Sequence, residues 1–491
     1  MCHDKLAWAL RVLIASLPPL FVLDTAGSAQ LTIANKGSSN PTLLYRGKPC
    51  LKVGPLPEVA VFAVEWGSRD FPHEQWLDWM QEHGLGYGRV YPENGQPWMP
   101  HDGDRRVFPF EVVRWRDGKP IVDLTKPSRA YWDNFARVIR ECADRGIILH
   151  MQLYQRVFFQ SKLWPTNYFH PDNNVNGYPI PPGSAGYGLW KVMAEDAPWR
   201  DVHRQWVEHV LDGIGDAGNV LIDLMNEGAY KNALTQEWID YTLDIIEGWE
   251  QRTGNDLLIG MDFDHFFKKQ DPGLEYILSH PRMDLVICEG SEAHVVKDLF
   301  AGDRRKQKEE LAVKYRLLHN KPVVSANSPT YSAHENPEHL RLYQWYSMMV
   351  KLQGVGLYAK TYPLDFSDAP VEQYARESKT LVSFFEELRD YVSLDLASDK
   401  IADAPGEYRL ALASARETVV YLHTGGSRET IPAGCQLALR DLEMPDAPVS
   451  VTLVRPSSGK TAAVRAAVSD GKLALELPEF FEDLAVHIVP R

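Results

Sequence analysis

The stretch NVLIDLMNEG, from Asn219 to Gly228, indicates a buried strand that ends abruptly at a polar pair. Its apolar residues follow one another almost without interruption, which is typical of a parallel sheet covered on both faces. Asn226 and Glu227 come directly after this run. The stretch therefore predicts a parallel strand whose carboxyl end presents an amide and a carboxyl group side by side.

Similar apolar runs recur along the chain from residue 50 and alternate with amphipathic segments. The predicted strands are CLKVG or VAVFAV, then LGYGRVY, GIILHMQLY, NVLIDLMNE, DLLIGMDFD, MDLVICEG, KPVVSANS and GVGLYAKTY. The predicted helices include HEQWLDWMQEH, RAYWDNFARVIRECADR, WRDVHRQWVEHVLDGIGD, TQEWIDYTLDIIEGWEQRTG and EELAVKYRLLH. Eight strands, each followed by a crossover, predict an α/β fold, the (β/α)8 TIM barrel, rather than a doubly wound sheet.

The pattern changes after about Ser393, where short alternating runs such as ETVVYLHTGG and VSVTLVRPSSGK are separated by Gly, Pro and Ser. This pattern predicts a small C-terminal antiparallel β-sandwich. We expect it to be an accessory domain packed against the barrel. The predicted division is a signal peptide at 1–29, the barrel at 30–395 and the sandwich at 396–491.

The first 29 residues have the features of an export signal: Lys5 and Arg11, the apolar run VLIASLPPLFVL, and small residues before Ala29. They predict a secreted or periplasmic protein. The five cysteines, Cys2, Cys50, Cys142, Cys288 and Cys435, lack zinc-site spacing and suggest no disulfide scaffold, and the sequence does not assign a single bridge.

The composition narrows the possible partners. The chain has 491 residues, a net charge of -14 and 44% hydrophobic residues, as expected of a soluble protein with two or three domains. Nucleic acids and anionic membranes are disfavoured, because binding a polyanion requires a surplus of Lys and Arg. The net charge does not disfavour a neutral ligand. The sequence does not determine an oligomeric state.

Asn226 and Glu227 lie where barrels of this type carry their reactive groups, at the carboxyl end of a strand. A glutamic acid there can protonate a leaving oxygen, and the neighbouring amide can bind a sugar hydroxyl. Together with Arg89 in GYGRVYP and the eight-strand order, the LMNEG element resembles the clan A glycoside hydrolases, which include cellulase-like enzymes. The tail is also similar to the β-sandwich, described as collagen-binding, that follows the barrel in several bacterial members.

The resemblance implies that Glu227 is the acid/base, that Asn226 binds a hydroxyl, and that Arg89 supports the nucleophile. The sequence departs from the family at strand seven, where Asn327 stands near the position of the family's nucleophilic Glu. Glu289, at the end of strand six, is the preferred second carboxylate. Strands lie ~4.8 Å apart, so the ends of strands four and six come within roughly 10 Å and permit retention or inversion.

Other strand-end acids remain alternatives for the second carboxylate: Glu93, Asp262, Asp264, Glu335 and Asp365. The long aromatic insertion after strand three predicts a binding loop over the barrel mouth. Trp66, Trp98 and Trp164 are the predicted sugar platforms, whereas Trp76, Trp79, Trp206 and Trp249 follow helical spacing and are expected in the core. The predicted subsite residues are Gln152, Tyr154, His294, Asn327, Tyr358 and Lys360.

The sequence therefore predicts a glycoside hydrolase that acts on a poly- or oligosaccharide without a cofactor or metal, with retention favoured by the resemblance. A non-catalytic carbohydrate-binding barrel is a second hypothesis, motivated by the absent strand-seven Glu. A metal-dependent hydrolase that uses the DFDH segment, Asp262 to His265, is a third. Without an early HxH pattern, the metal hypothesis has little support.

Overall fold

The structure is a computed structural model that describes residues 30–55, 60–68, 71–92, 106–159, 162–180, 188–226, 228, 235–263, 272–289, 320–327, 337–357, 368–425 and 429–491. The strands up to the end of the barrel are β1 Leu31–Ala34, β2 Thr42–Tyr45, β3 Lys48–Pro49, β4 Val53–Pro55, β5 Tyr87–Val90, β6 Phe110–Arg116, β7 Lys119–Pro127, β8 Ile148–Gln152, β9 Val220–Asp223, β10 Leu258–Gly260, β11 Asp262–Phe263, β12 Val286–Glu289, β13 Val323–Asn327 and β14 Leu352–Leu357. The α-helices are α1 Ala60–Ala63, α2 His73–Glu82, α3 Arg129–Asp144, α4 Gly188–Glu195, α5 Ala197–Ile214, α6 Gln236–Thr253, α7 Pro272–Ser279, α8 Pro337–Met349 and α9 Ala369–Glu386.

Two parallel sheets form the barrel. Their orders are β10-β9-β8-β5 and β11-β12-β13-β14-β4, and β10 and β11 are successive segments of one chain stretch. Gly86 N donates to Val53 O at 3.0 Å, which joins the start of β5 to β4. Eight strand positions in parallel order confirm the predicted (β/α)8 barrel.

The first barrel strand is β4, which overlaps the CLKVG segment. The alternative segment, VAVFAV, contains the single helical turn α1 instead, because a short and uniformly apolar run does not distinguish a strand from a helix. The Asn134 side chain holds this turn by donating to the carbonyls of Phe62 and Val64, each at 3.0 Å.

The predicted crossover helices agree with α2, α3, α5 and α6 to within two residues at either end, and EELAVKYRLLH lies outside the described residues. Helix α6 shows why the boundaries are sharp. Thr235 Oγ1 accepts a hydrogen bond from Trp238 N at 3.2 Å, and Gly254 ends the helix with a φ of 79°. Such an N-cap and left-handed C-terminal residue satisfy the backbone groups that a helix leaves unpaired. Trp76, Trp206 and Trp249 are buried as predicted, and Trp79 is half-buried.

A hairpin that the sequence did not predict covers the amino-terminal end of the barrel. It comprises β1, β2 and β3, and the turn between the last two is Arg46-Gly47 with φ values of 53° and 74°. Both residues have positive φ, as a tight hairpin turn requires. Leu31 and Leu43 pack against Tyr87, Ile148 and Leu221 at the start of the barrel strands. The hairpin therefore seals the end of the barrel that faces away from the strand carboxyl ends.

The C-terminal region consists of antiparallel sheets. Its strands are β15 Asp395–Leu396, β16 Ile401–Asp403, β17 Tyr408–Ala413, β18 Thr418–His423, β19 Thr430–Ile431, β20 Gln436–Leu439, β21 Pro448–Val454, β22 Thr461–Ala467, β23 Leu473–Glu476, β24 Phe480–Phe481 and β25 Asp483–Pro490. The sheet orders are β15-β17-β18-β25-β21-β22, β16-β20-β23 and β19-β24. Val420 and Leu422 share an apolar core with Leu437 and Leu475, so the two larger sheets face each other.

Strand β18 is buried along its whole length because it lies between two cores. Val419 and Tyr421 point away from the sandwich core and join the core of the barrel. Tyr421 stacks on Trp345 of α8, with ring centres 5.2 Å apart and an interplanar angle of 10°. The antiparallel sheets therefore pack directly on barrel helices, and the domain limits at 395 and 396 remain a prediction.

A buried arginine reinforces this contact. Arg341 of α8, whose side chain is 2% exposed, donates to Glu377 of α9 at 2.8 Å, to Glu482 at 2.6 Å and to Asp483 of β25 at 2.9 Å. Its planar guanidinium group presents donors in several directions, which suits three carboxylates at once. One side chain thus links two barrel helices to the C-terminal sheets. No helix within the described residues is long and apolar enough for a membrane crossing.

The described cysteines differ in access. Cys50 and Cys142 are buried free thiols, Cys435 is a half-buried free thiol, and burial raises the pKa of Cys50 to about 12. Because the thiolate is the reactive form, we expect iodoacetamide at pH 8 to label Cys435 at least ~100-fold faster than Cys50 or Cys142. Peptide mass spectrometry of natively labelled protein measures this, with urea-unfolded protein as the control. Equal native labelling of all three would contradict the packing.

Candidate active site

The carboxyl ends of the barrel strands bring together polar side chains that are distant in the sequence. Arg89 of β5 lies opposite His150 of β8, and Gln152 of β8 lies opposite Asp223 of β9. Arg89 is 5% exposed and the other three are fully buried. Buried polar groups need hydrogen-bond partners, so their contacts reveal how the site is built.

Asn226 is the centre of these contacts. Its Oδ1 accepts from Arg89 Nη1 and from Gln152 Nε2, each at 2.9 Å, and its Nδ2 donates to Gln155 Oε1 at 2.6 Å. Two donors facing the oxygen fix which way the amide points. The structure therefore joins three predicted site residues, Arg89, Asn226 and Gln152, in one hydrogen-bonded array.

Asp223 lies beneath this array, and the sequence analysis did not identify it. Its Oδ2 accepts from His150 Nε2 and Gln152 Nε2, each at 3.0 Å. Its Oδ1 accepts from the backbone N–H groups of Asp262 at 2.9 Å and Met225 at 3.2 Å. Four donors thus serve a carboxylate that is fully buried, which offsets the cost of removing it from water.

The contacts of His150 extend the network inward. Its Nε2 hydrogen-bonds to the Asp223 carboxylate, and its Nδ1 hydrogen-bonds to the Tyr87 hydroxyl at 3.1 Å. Tyr87 is itself fully buried and packs on the hairpin at the closed end of the barrel. A continuous polar chain therefore runs from the barrel interior to the rim at Gln152 and Asn226.

The backbone on both sides of residue 227 is anchored to neighbouring strands. Asn226 N donates to Tyr154 O at 3.0 Å, and Gly228 N donates to Asp262 O at 3.1 Å. These bonds tie the end of the fourth barrel strand to the third and the fifth. Glu227 itself lies outside the described residues.

Tyr154, a predicted subsite residue, lies in an aromatic core rather than at the mouth. It is fully buried, its hydroxyl contacts His203 Nδ1 at 2.7 Å, and its ring packs against Trp190 and Trp206. Burial, and secondarily Arg200, lower the pKa of His203 to about 3, so this imidazole is neutral at ordinary pH. Tyr154 therefore supports the rim through its backbone and packing.

The faces of both described tryptophan platforms are occupied by other side chains. Trp66 is half-buried, stacks on His73 with ring centres 4.8 Å apart, and has the Arg137 guanidinium 4.7 Å from its ring centre. Trp164 is 7% exposed and stacks on Phe159 at 5.7 Å. The insertion thus uses Trp164 to pack itself against the barrel, and Trp98 lies outside the described residues.

Two further predicted residues, Glu289 and Asn327, lie at the other side of the rim. Glu289 is the last residue of β12 and lies in register with Asn327 of β13, next to an irregularity between Cys288 and Glu289. Their backbones are therefore neighbours at the carboxyl ends of strands six and seven. His294, Tyr358 and Lys360, and the alternatives Glu93, Asp264, Glu335 and Asp365, lie outside the described residues.

Within the described residues, no group of three or more His, Cys, Asp or Glu side chains is arranged to hold a metal ion. Asp262 lies in this part of the chain and is fully buried, with its backbone N–H bound to Asp223. Asp264 and His265, the other members of the predicted DFDH metal segment, fall in a stretch that the structure does not describe.

We expect Asp223→Asn to weaken stability. The asparagine amide nitrogen cannot accept hydrogen bonds, so two of the four donors lose their partner, at about 1–3 kcal/mol of unfolding free energy. Urea unfolding measures the effect.

Asp216→Asn is the matched control, because Asp216 is exposed in the loop before β9. We expect its unfolding free energy to stay within about 0.5 kcal/mol of the wild type. An Asp223→Asn protein that unfolds at the wild-type urea concentration would contradict the assigned network.

Comparison with solved structures shows what the fold resembles. A structure described as a glycoside hydrolase aligns with a TM-score of 0.62 and 13% identity, over 94% of this chain and 97% of the other. A family 5 glycoside hydrolase from Bacteroides vulgatus ATCC 8482 aligns with a TM-score of 0.57 and 14% identity, over 94% and 93% of the two chains. A maltogenic alpha-amylase from Thermotoga neapolitana reaches 0.50 at 12% identity, over 90% and 99%.

No protein-family model matches the sequence, and no curated protein matches it significantly. At identities of 11–14% the structural likeness establishes the fold alone. It confirms the fold that the resemblance to clan A implied: the chain is a (β/α)8 barrel like those of solved glycoside hydrolases, with antiparallel sheets attached.

Proposed function

We propose that the protein is a glycoside hydrolase that cleaves O-glycosidic bonds of a poly- or oligosaccharide. The observation that carries this proposal is the array of Arg89, Gln152 and Asn226 at the carboxyl-end rim, in which Asn226 directly precedes Glu227 in the chain. Barrels of this type carry their reactive side chains at this rim. The solved structures that share the fold are named glycoside hydrolases and an amylase, which supports a carbohydrate substrate.

In the proposed reaction, Glu227 begins protonated and donates its proton to the glycosidic oxygen as the bond from that oxygen to the anomeric carbon breaks. Glu289 begins ionised, and unlike surroundings can hold two carboxyl groups in these opposite states. Asn226 binds a hydroxyl of the sugar beside the scissile bond. Arg89 fixes the Asn226 amide and places a positive charge beside the site.

The role of Glu289 depends on its separation from Glu227. At ~5–5.5 Å, Glu289 attacks the anomeric carbon, a covalent intermediate forms, and water later releases it with retained configuration. At roughly 6.5–9.5 Å, a water molecule fits, Glu289 takes its proton, and the configuration inverts. Asn327 cannot replace a carboxylate in either route, and we propose retention from the resemblance to clan A.

Proton NMR of the first-formed anomer distinguishes the two routes. We expect the anomer with the configuration of the substrate, and the opposite anomer would overturn the proposed retention. Full activity of Glu289→Ala would transfer the second role to Glu335 or another strand-end acid.

Incubation with plant, algal and bacterial polysaccharides, read as released reducing ends, tests the function itself. Binding without release would favour a non-catalytic carbohydrate-binding barrel. Loss of release with a chelator would favour the metal-dependent hydrolase.

We also propose that the protein acts outside the cytoplasm after removal of residues 1–29. The charged start, apolar run and small residues before Ala29 support this proposal. Amino-terminal sequencing of the exported protein tests it, with Gln30 as the expected first residue.

A further inference from the structure

A two-stranded ribbon, β6 and β7, stands at the same rim as the candidate site. It follows the second barrel strand in the chain and packs on the insertion that follows the third: Val175 N donates to Val122 O, and Leu124 N donates to Asn176 Oδ1, each at 2.9 Å. Both segments emerge from strand carboxyl ends. The ribbon therefore extends the rim outward beside the proposed cleft.

Trp115, near the tip of this ribbon, is 60% exposed, an unusual exposure for so large an apolar side chain. Its ring meets Phe108 edge-on, with centres 5.7 Å apart and planes at 75°. Phe108 in turn packs edge-on against buried Tyr168 at 6.4 Å. Trp115 thus contacts Phe108 while most of its surface faces solvent, as a stacking platform requires.

The ribbon tip is basic on a chain that is acidic overall. Arg114, Arg116 and Lys119 are exposed around it, and Arg116 lies directly opposite Lys119 across the strand pair. The turn between them is Asp117-Gly118, with φ values of 51° and 74°, which keeps the two strands close. Because successive side chains of a strand point to opposite faces, Arg114, Arg116 and Lys119 lie on one face of the narrow ribbon tip and Trp115 lies on the other.

We propose that this ribbon tip is a second binding site, for an acidic polysaccharide, separate from the residues assigned to catalysis. A sugar ring stacks on Trp115 at one face of the ribbon, and the chain crosses the tip so that its carboxylate or sulfate groups pair with Arg114 and Lys119 at the other face. The inference rests on the proposed function for its sugar class. The net charge of -14 opposes a polyanion, so the anionic ligand is inferred from the local charge of the tip, where three exposed cations outnumber the exposed Asp117.

The same charges disfavour a second copy of this chain as the occupant. In a two-fold symmetric dimer built on this tip, each patch would face itself, and its three cations would repel their equivalents.

Affinity measurements with the full-length protein test the proposal. The ligands are polygalacturonate and alginate as carboxylated chains, a carrageenan as a sulfated chain, and galactomannan as a neutral chain. We expect the wild type to bind at least one acidic chain at least 10-fold more tightly than the neutral chain. We also expect that affinity to fall with added salt.

Three variants locate the binding. We expect Trp115→Ala and the double variant Arg114→Gln with Lys119→Gln each to weaken acidic-chain binding at least 10-fold. Phe481→Ala is the matched control, because Phe481 is a 50% exposed aromatic side chain of the C-terminal sheets, and we expect no change. Thermal unfolding of each variant separates lost binding from lost structure.

Unchanged acidic-chain affinity in folded Trp115→Ala would overturn the inference, as would equal wild-type affinity for neutral and acidic chains. Sedimentation that shows a wild-type dimer and a Trp115→Ala monomer would instead assign the tip to self-association. A wild type that binds acidic chains through Trp115 but releases no reducing ends would refute the proposed function and leave this site standing.

Discussion

Glu227→Gln is expected to lower kcat on a hydrolysed glycan by about 10²–10⁴-fold while the protein remains folded. In the proposed reaction, the substitution removes the proton that the leaving oxygen receives, and general acid catalysis contributes a factor of this size. The backbone on both sides is held by hydrogen bonds from Asn226 N and Gly228 N, so a side chain of nearly the same shape leaves the strand ends in place. Steady-state turnover and thermal unfolding measure the two halves of this prediction.

Glu237→Gln is the matched control, since Glu237 is exposed in the first turn of α6 and has no role in the proposed chemistry. We expect its kcat within twofold of the wild type. If Glu227→Gln retained more than a tenth of wild-type turnover, the acid role would belong to another carboxyl group.

Arg341→Met is expected to destabilise the protein by about 3–5 kcal/mol, the usual cost of leaving buried charges without their partner. Glu377, Glu482 and Asp483 would lose the guanidinium group that all three now bind. Because these carboxylates come from both the barrel and the C-terminal sheets, the loss should loosen that contact. Urea unfolding at pH 7 measures the change.

The pH dependence of this variant has a defined sign. Burial raises the pKa of Asp483 and of Glu377, and Arg341 opposes both shifts. Groups with raised folded-state pKa values contribute stability below their unfolded pKa, and that contribution is lost as pH rises through the folded pKa. Removing Arg341 raises both pKa values further, so the destabilisation should be larger at pH 7 than at pH 5.

Arg416→Met provides the comparison, because Arg416 pairs with Asp390 at 3.5 Å and its side chain is 74% exposed. A surface pair of this kind contributes at most about 1 kcal/mol. Equal effects of the two arginine substitutions, or an Arg341→Met effect that grows as pH falls, would contradict the described contact.

The barrel was predictable because each of its strands is a short, nearly continuous apolar run followed by a crossover. The ribbon of β6 and β7 was not predicted, because its outer strand, FEVVRWR, is almost entirely exposed and lacks an apolar face. The hairpin at the closed end of the barrel was not predictable because its strands, LTIA, TLLY and KP, are too short to show an alternating pattern. In both cases, tertiary contacts rather than local periodicity determine the structure.

The site was predictable only where a polar residue ended an apolar run, as at Arg89, Gln152 and Asn226. Asp223 lies inside such a run, and its partners His150 and Gln152 are 73 and 71 residues away in the chain. Alternation within ILHMQ does place His150 and Gln152 on the same side of their strand, which was a usable signal. The exposure of the tryptophans was the least predictable feature. Trp164, a predicted sugar platform, is buried, whereas Trp115, which the sequence did not indicate, is exposed.

Release of reducing ends from a panel of polysaccharides is the most direct test of the central claim. The protein should be assayed in its wild-type, Glu227→Gln and Glu289→Gln forms, with and without EDTA. The account predicts that the wild type releases reducing ends from at least one polysaccharide, that EDTA has no effect, and that either substitution abolishes release. Release by Glu227→Gln at the wild-type rate, or release that EDTA abolishes, would contradict it.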